Sequence, residues 1–216
     1  VCIMRVHYAS QLTLKDAITE YFAFNKFGPD GGYSDKWVRL KLGPISLYIP
    51  NTAARVRAVR IHDLHHVATG YRTDWIGEFE ISAWELATWC GRYHAAWVLN
   101  LGGLVAGLFS SPRRTVAAFM RGRRSHNLYA EEYAPALLTQ TVGQVRARLG
   151  LHDDDPAAAP AHQTSGRWSD WLLLALYVAM GVPVGLLSFV ASVVVFVPLA
   201  LLQQLFFKPT AATGST

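Results

Sequence analysis

The sequence predicts a mainly α-helical, metal-binding domain with a small β-hairpin, followed by a C-terminal apolar segment that forms a membrane helix hairpin. Three observations lead to this fold class. Helix start and stop signals recur between residues 10 and 149. Residues 171–207 contain no charged side chain. Three histidines fall within five positions, at residues 62–66, which indicates a metal site.

The N-terminal part predicts one helix and one hairpin. Residues 10–26 are expected to form a helix that Ser10 or Thr13 caps and that a glycine-rich stretch ends. In residues 37–49, apolar and polar side chains alternate on both sides of Gly43–Pro44. This pattern is typical of two short strands joined by a turn.

The next two helices are predicted to form an antiparallel hairpin. Residues 52–69 form the first helix, which ends at Gly70, a usual helix stop. Thr73 or Asp74 caps the second helix, which runs to about Gly91. Because the loop between them is short, the two helices are expected to lie side by side.

The rest of the domain is expected to be helical as well. Residues 95–109 carry no charge and are short for a membrane span, so they predict a buried core helix that Pro112 ends. Five arginines follow between residues 113 and 124, and they suit either an anionic lipid surface or a solvated polar face. Residues 127–149 are predicted to form a final helix.

The composition divides the chain into four parts. Residues 171–207 are long enough for one generous span, or for two tight ones joined at residues 181–185. Arg167 and Lys208 flank them, and basic residues at both ends favour a hairpin that returns to the cytoplasmic face. The predicted parts are the metal-binding domain 1–151, a linker 152–166, a membrane-associated segment 167–208 and a tail 209–216.

Composition also limits the compartment and the partners. The chain has 216 residues, of which 51% are hydrophobic and 16% charged, with a net charge of +5. The basic excess suits an anionic membrane surface or nucleic acid, and the apolar segment favours the membrane, so we expect no nucleic-acid partner. Cys2 and Cys90 form no spaced pair, which fits a reducing compartment. The first residues lack the pattern of a secretory signal.

The histidine cluster predicts a metal site with oxygen and nitrogen ligands. His62 and His66 are four residues apart and share one helical face, which Asp63 flanks. His65 points about 100° away from His66. On an antiparallel neighbour, Glu78 comes level with His66 and completes a set of two imidazoles and two carboxylates. This set suits zinc, and also iron or manganese.

Other chemistries fit these residues less well. An isolated pair of histidines four apart on a helix often occurs by chance. Cys90 has no obvious partner to activate it as a nucleophile. A phosphohydrolase of the histidine-aspartate type needs a further histidine upstream and an aspartate far downstream. His7 lies at an irregular start, and residues 153–155 lie in the predicted linker.

The segment HDLHH, followed by eleven residues and then Glu78, matches the pattern HDxxH-(x)11-E. With its surroundings, it resembles the fourth coenzyme Q biosynthesis protein family, here called the Coq-four family. The likeness covers roughly residues 8–151. Its other segments are GPISLYIPNTAARVRAVR, TGYRTDWIGEFEISAWE, RGRRSHNLYAEEY and VRARLGL. The apolar segment after residue 167 is not part of the family pattern.

The resemblance implies a helical protein that binds a divalent metal, usually zinc, through the residues matching His62, Asp63, His66 and Glu78. It implies action on a polyprenylated aromatic acid, whose C1 carboxylate is removed in a step coupled to hydroxylation at that carbon. Four protein ligands would close a tetrahedral zinc, so catalysis requires one ligand to exchange. Asp63 is the candidate for that exchange, and Asp63 and Glu78 are the predicted catalytic residues.

We therefore expect a metal-dependent lyase of ubiquinone biosynthesis, a decarboxylase, associated with a membrane. The expected location is the cytoplasmic face of a bacterial inner membrane, or the equivalent membrane of an organelle. The expected partners are the polyprenylated precursor, membrane lipid, other quinone-biosynthesis enzymes and a second copy of the chain. One alternative is a non-catalytic scaffold that binds prenyl lipid. Another is a membrane phosphohydrolase of the histidine-aspartate type.

Overall fold

The computed structural model describes residues 7–42, 45–151 and 164–206. A π-helical turn, Ser192–Phe196, joins the last two helices. The helices are α1 (Leu14–Asn25), α2 (Ala53–Thr69), α3 (Trp75–Ala87), α4 (His94–Ser110), α5 (Pro112–Gly122), α6 (Pro135–Leu138), α7 (Val142–Leu149), α8 (Trp168–Ala191) and α9 (Val197–Phe206), and the strands are β1 (Trp37–Leu42) and β2 (Ile45–Pro50).

The predicted fold class, mainly helical with one small hairpin, is confirmed. Thr13, Thr52 and Asp74 cap α1, α2 and α3 by accepting a hydrogen bond from a backbone N–H in the first turn. Gly70 ends α2 with a positive φ of 74°, a conformation that costs glycine little. The two strands pair antiparallel, with Trp37 opposite Pro50 at one end and Leu42 opposite Ile45 at the other. The predicted turn Gly43–Pro44 lies outside the described residues.

Helix α3 lies at the centre of the domain. Its Ile81, Trp84 and Leu86 side chains are fully buried. On one side it packs along α4, where the absence of a side chain at Gly103 lets Ser82 approach. On another it packs along α5, where Gly122 lies against the backbone of Trp84. Helix α2 lies beside α3, and α1 and α7 cover α2.

The predicted helix over residues 127–149 is wrong. The structure has two shorter helices there, α6 and α7, and residues 127–134 are not helical. Pro135 disfavours helical backbone in the residue before it, and Ala134 is extended, with ψ of 161°. Thr141 then starts α7 with a reciprocal capping box that involves Gln144.

Pro112 has a different role from the one predicted. Helix α4 already ends at Ser110, and Pro112 is the first residue of α5. A proline suits this position because the first turn of a helix has no use for its missing N–H. Most of the predicted basic stretch therefore belongs to α5, an eleven-residue helix with a buried side facing α3.

The predicted hairpin within the apolar segment is also wrong, because the chain runs on as helix through residues 181–185. Gly181 serves helix packing instead of a turn: a Cβ there would lie 2.8 Å from the Leu101 carbonyl oxygen of α4. Pro183 is accommodated inside α8. The helix over Trp168–Gln203 is long and apolar enough to cross a membrane. Residues 152–163 of the predicted linker, and the tail 209–216, lie outside the described residues.

Two helical glycines give a paired test of this packing. A Cβ at Gly77 would lie 2.0 Å from the Arg72 carbonyl oxygen, whereas a Cβ at Gly102 would meet nothing within 4 Å. We expect Gly77→Ala to lower the free energy of unfolding by about 1–3 kcal/mol, because the start of α3 must move. Gly102→Ala should raise it by up to about 1 kcal/mol. The free energy of unfolding of both variants is measured by denaturant titration in the same detergent, with circular dichroism as the signal. Equal stability of the two variants would contradict the packing of α3.

Candidate metal centre

Helices α2 and α3 bring three of the predicted ligands together. The ligand atoms of His62, His66 and Glu78 all lie within 4.8 Å of one another. The two Nε2 atoms are 3.1 Å apart. The Glu78 carboxylate lies 3.5 Å from Nε2 of His62 and 3.4 Å from Nε2 of His66. The antiparallel arrangement of α2 and α3, which the short loop predicted, produces this convergence.

The hydrogen bonds of the two imidazoles fix their tautomers. Nδ1 of His66 lies 2.9 Å from the Tyr71 carbonyl oxygen, which only accepts, so this nitrogen carries a proton. Nδ1 of His62 lies 2.9 Å from a Glu85 carboxylate oxygen and donates in the same way. When both rings are neutral, each Nε2 atom therefore presents a lone pair, and the two lone pairs face each other.

Two facing lone pairs at this distance repel unless a cation lies between them. Burial lowers the pKa of the His62 imidazole, but the carboxylates of Glu85 and Glu78 outweigh burial and raise that pKa well above its usual range. Burial raises the pKa of Glu78, but the two imidazoles outweigh it and hold that pKa well below its usual range. These shifts favour a positive charge among His62, His66 and Glu78, which either a proton or a metal ion can supply.

The donor set fits a divalent metal. Two imidazole nitrogens and one carboxylate oxygen are the ligands of many catalytic sites, which keep a further position for water or substrate. Both imidazoles also donate their other N–H to an oxygen, the usual arrangement around a ligating histidine. His66 is 1% exposed, whereas Glu78 is 38% exposed, so the group opens to its surroundings on the Glu78 side.

The fully buried Glu85 carboxylate holds His62 and its neighbour His65 in place. Its Oε1 accepts hydrogen bonds from Nδ1 of His62, at 2.9 Å, and of His65, at 2.6 Å. Its Oε2 accepts from the Asn100 amide and the Tyr129 hydroxyl, both at 2.7 Å. Burial raises the Glu85 pKa, but the neighbouring imidazoles hold it well below its usual range, so Glu85 is an ionised acceptor.

His65 belongs to this supporting network and not to the ligand group. Its Nε2 accepts a hydrogen bond from the Leu128 backbone N–H, at 2.9 Å, so its proton is on Nδ1. Burial lowers its pKa, which keeps the ring neutral. The prediction that His65 points away from His66 agrees with this placement.

Asp63, the predicted fourth ligand, lies outside the group. It is 6% exposed, and its two oxygens accept hydrogen bonds from the hydroxyls of Tyr21, at 3.1 Å, and Tyr33, at 2.7 Å. Burial raises its pKa. The Tyr21 ring also stacks on the His66 imidazole, with 5.7 Å between centroids, so Asp63 helps to orient a ligand through Tyr21.

The sequence reasoning missed the residues that support the ligands. Glu85 had a usable signal: it follows Glu78 by seven residues, or about two turns, so both lie on one face of α3. A carboxylate between the apolar Trp84 and Leu86 also needs a partner. The other missed residues gave no local signal, because they come from distant parts of the chain; they are Tyr21, Tyr33, Asn100 and Tyr129.

The two alternative chemistries gain no support from the described residues. Burial raises the pKa of the Cys90 thiol to about 12, so Cys90 is a poor nucleophile. His7 lies 3.5 Å from an Arg146 nitrogen instead of joining the histidine cluster. Residues 153–155, the downstream aspartates, lie outside the described residues.

No family model, curated protein or solved structure matches this chain.

The first test asks whether the site has three protein ligands or four. The full chain should bind about one divalent ion, and His66→Ala should lose it. Asp63→Asn should keep the ion, because the tyrosines and not the metal face its oxygens. Metal analysis after dialysis measures occupancy, which should also fall at acidic pH as protons compete for Nε2. Loss of the ion in Asp63→Asn as complete as in His66→Ala would restore the four-ligand set.

The second test concerns the buried carboxylate. Glu85→Gln removes the charge that four donors converge on, so we expect a loss of about 3–5 kcal/mol in the free energy of unfolding. Metal affinity should fall about 10–100-fold, because His62 loses the partner that fixes its tautomer. Glu131→Gln is the control: Glu131 pairs with Arg148 at the surface, and its loss should cost less than about 1 kcal/mol. Similar effects of both changes would refute the supporting role of Glu85.

Proposed function

We propose that this protein is a membrane-associated, metal-dependent enzyme of lipid-quinone biosynthesis. Its substrate is a polyprenylated hydroxybenzoate-type acid, from which it removes the C1 carboxylate in a step coupled to hydroxylation. The observation that carries the proposal is the cation-binding group of His62, His66 and Glu78, whose spacing matches the HDxxH-(x)11-E pattern of the Coq-four family. Among the divalent metals that these donors suit, zinc is the one we propose.

The resident metal would supply Lewis acidity to a carboxylate or phenol oxygen of the substrate. The residues of the chain have separate tasks. His62 and His66 present Nε2 lone pairs that the hydrogen bonds of their Nδ1 atoms have oriented in advance. Glu78 closes the third side and, being half-exposed, is the residue that meets an incoming substrate. We therefore assign Glu78 the catalytic role and Asp63 a positioning role.

The proposed reaction is a two-electron oxidation and needs an oxidant. The bond between C1 and the carboxylate breaks, carbon dioxide leaves, and a new C–O bond forms at C1. With dioxygen as the oxidant, the acid, dioxygen and water give the phenol, carbon dioxide and hydrogen peroxide. Dioxygen is apolar and partitions into the hydrocarbon phase that also dissolves the prenyl tail, so both substrates reach the protein from the membrane.

The membrane location is supported by the long apolar helix, most of whose large side chains are exposed. We propose the cytoplasmic face of a bacterial inner membrane or the equivalent membrane of an organelle. Other quinone-biosynthesis enzymes are the proposed partners, since a polyprenylated intermediate passes between enzymes within the lipid. The rival function is a non-catalytic scaffold in which the metal only joins two helices, although the Glu85 network already joins α2 to α3 without an ion.

Glu78→Gln separates an enzyme from a scaffold. The change keeps the size of the side chain but removes the charge that faces both imidazoles. If the metal centre is catalytic, product formation should fall at least about 100-fold, while the helical content and the capture of partner enzymes stay unchanged. The carboxylated precursor should accumulate in cells that depend on this protein. Product and precursor are measured by mass spectrometry of lipid extracts.

The control is Glu20→Gln, which removes an exposed carboxylate on α1 and should leave activity unchanged. If the metal only joins the helices, the melting temperature and partner capture of Glu78→Gln should fall together with function. A Glu78→Gln protein that retains the metal and produces at the normal rate would refute the catalytic role of Glu78.

A further inference from the structure

The apolar helix does not stand apart from the domain. The Trp97 ring of α4 packs on the Tyr177 ring of α8, with 5.9 Å between centroids. Four residues further along both helices, the Leu101 backbone meets Gly181. Helices α4 and α8 therefore run side by side in the same direction. Helix α8 thus lies beside the body of the domain and not beyond one end of it.

Both ends of the apolar helix are attached to elements that precede it in the chain. Near its start, Asp170 accepts a hydrogen bond of 2.9 Å from Arg123, at the end of α5. Near its other end, the Gln203 amide exchanges two hydrogen bonds with the backbone of Tyr48 in β2, at 3.0 and 3.2 Å. At 1.5 Å per residue these two attachments are about 50 Å apart along the helix.

This arrangement conflicts with a helix that crosses the bilayer. The hydrocarbon core, about 30 Å thick, would have to lie between the attachment to α5 and the attachment to β2, which ends just before α2 begins. Helices α2, α3 and α4 contact one another, and α2 carries the exposed Arg57. Such charged surfaces would enter the hydrocarbon together with the apolar helix, where charged side chains are strongly disfavoured.

The outer faces of α4 and α8 are apolar. On α4 the exposed Leu99 and Phe109 are 72% and 86% accessible. On the long helix a stripe of exposed side chains repeats along its length: Leu172, Leu176, Met180, Leu187 and Val194. Exposed cations stand at the ends of this α4–α8 face, at Arg92, Arg113 and Arg167, and Trp168 is exposed at its edge.

We propose that the α4–α8 face lies in the plane of the membrane, so that the protein rests in one leaflet instead of spanning the bilayer. The proposal rests on the membrane location proposed above. Apolar side chains rimmed by arginine and tryptophan fit the boundary between acyl chains and anionic headgroups. A second copy of the chain would need to bury the same stripe, but it would not account for cations and an indole at the rim.

The in-plane position also accounts for access to the metal centre. Glu78, on the open side of the centre, belongs to the first turn of α3. Its neighbour Phe79 lies against Gly107 of α4, close to the exposed Phe109. The opening therefore lies at the end of the α4–α8 face, where a substrate whose prenyl tail stays in the leaflet can present its headgroup.

Depth measurements on the full chain test the proposal. In a Cys2→Ser background, Cys90 is buried, so a spin label reaches only an introduced cysteine. Labels at Leu172, Leu187, Leu202 and, on α4, Leu99 are compared in vesicles of phosphatidylethanolamine and phosphatidylglycerol. The relative access of oxygen and a water-soluble nickel chelate gives the depth of each label. A label at Phe24, which is exposed on α1, is the matched control.

We expect similar, shallow depths at all four positions and full water exposure at Phe24. A profile that is shallow at Leu172, deep at Leu187 and shallow again at Leu202 would show a spanning helix and overturn the proposal. Labels that lack lipid contact and couple to one another would show that a second copy covers the face. Failure to associate with vesicles would refute the membrane location itself, whereas the Glu78→Gln assay tests the chemistry separately.

Discussion

The buried carboxylate of Glu85 is the constraint on which the site depends. An ionised group with no exposure is tolerated only when its acceptor positions are filled, and this one has four donors from α2, α4 and the segment after α5. Those donors hold α2 against α3 at one register. The same register places His62 and His66 opposite Glu78, so the group that could hold a metal ion is a consequence of how the core satisfies a single charge.

This dependence means that the ligand group is formed before any ion arrives. The bond from His62 to Glu85 and the bond from His66 to the Tyr71 carbonyl oxygen direct both Nε2 lone pairs inwards. A preformed site loses little conformational freedom on binding, and the raised His62 pKa lets a proton lie between the two Nε2 atoms when no metal ion is bound. A metal ion would have to displace that proton, while the Glu85 carboxylate keeps His62 in place.

Local signals in the sequence predicted the elements and the ligands that depend on them. The stop at Gly70 and the cap at Thr73 or Asp74 placed the end of α2 and the start of α3, and helical spacing then brought His62, His66 and Glu78 together. The failures were also local. A glycine at position 181 is compatible with a turn and also with close packing against a neighbouring backbone. Its contact with the Leu101 backbone shows that it serves close packing.

Asp63 shows why the ligand set could not be completed from spacing alone. Its position beside His62 places it on the flank of the ligand face, from which it can turn towards the metal or towards α1. Two tyrosine hydroxyls decide the direction, and they come from residues 42 and 30 positions away in the chain. Because a hydroxyl pair satisfies a buried carboxylate without an ion, Asp63 stays beside α1 and reaches the group of His62, His66 and Glu78 through the Tyr21 ring that stacks on His66.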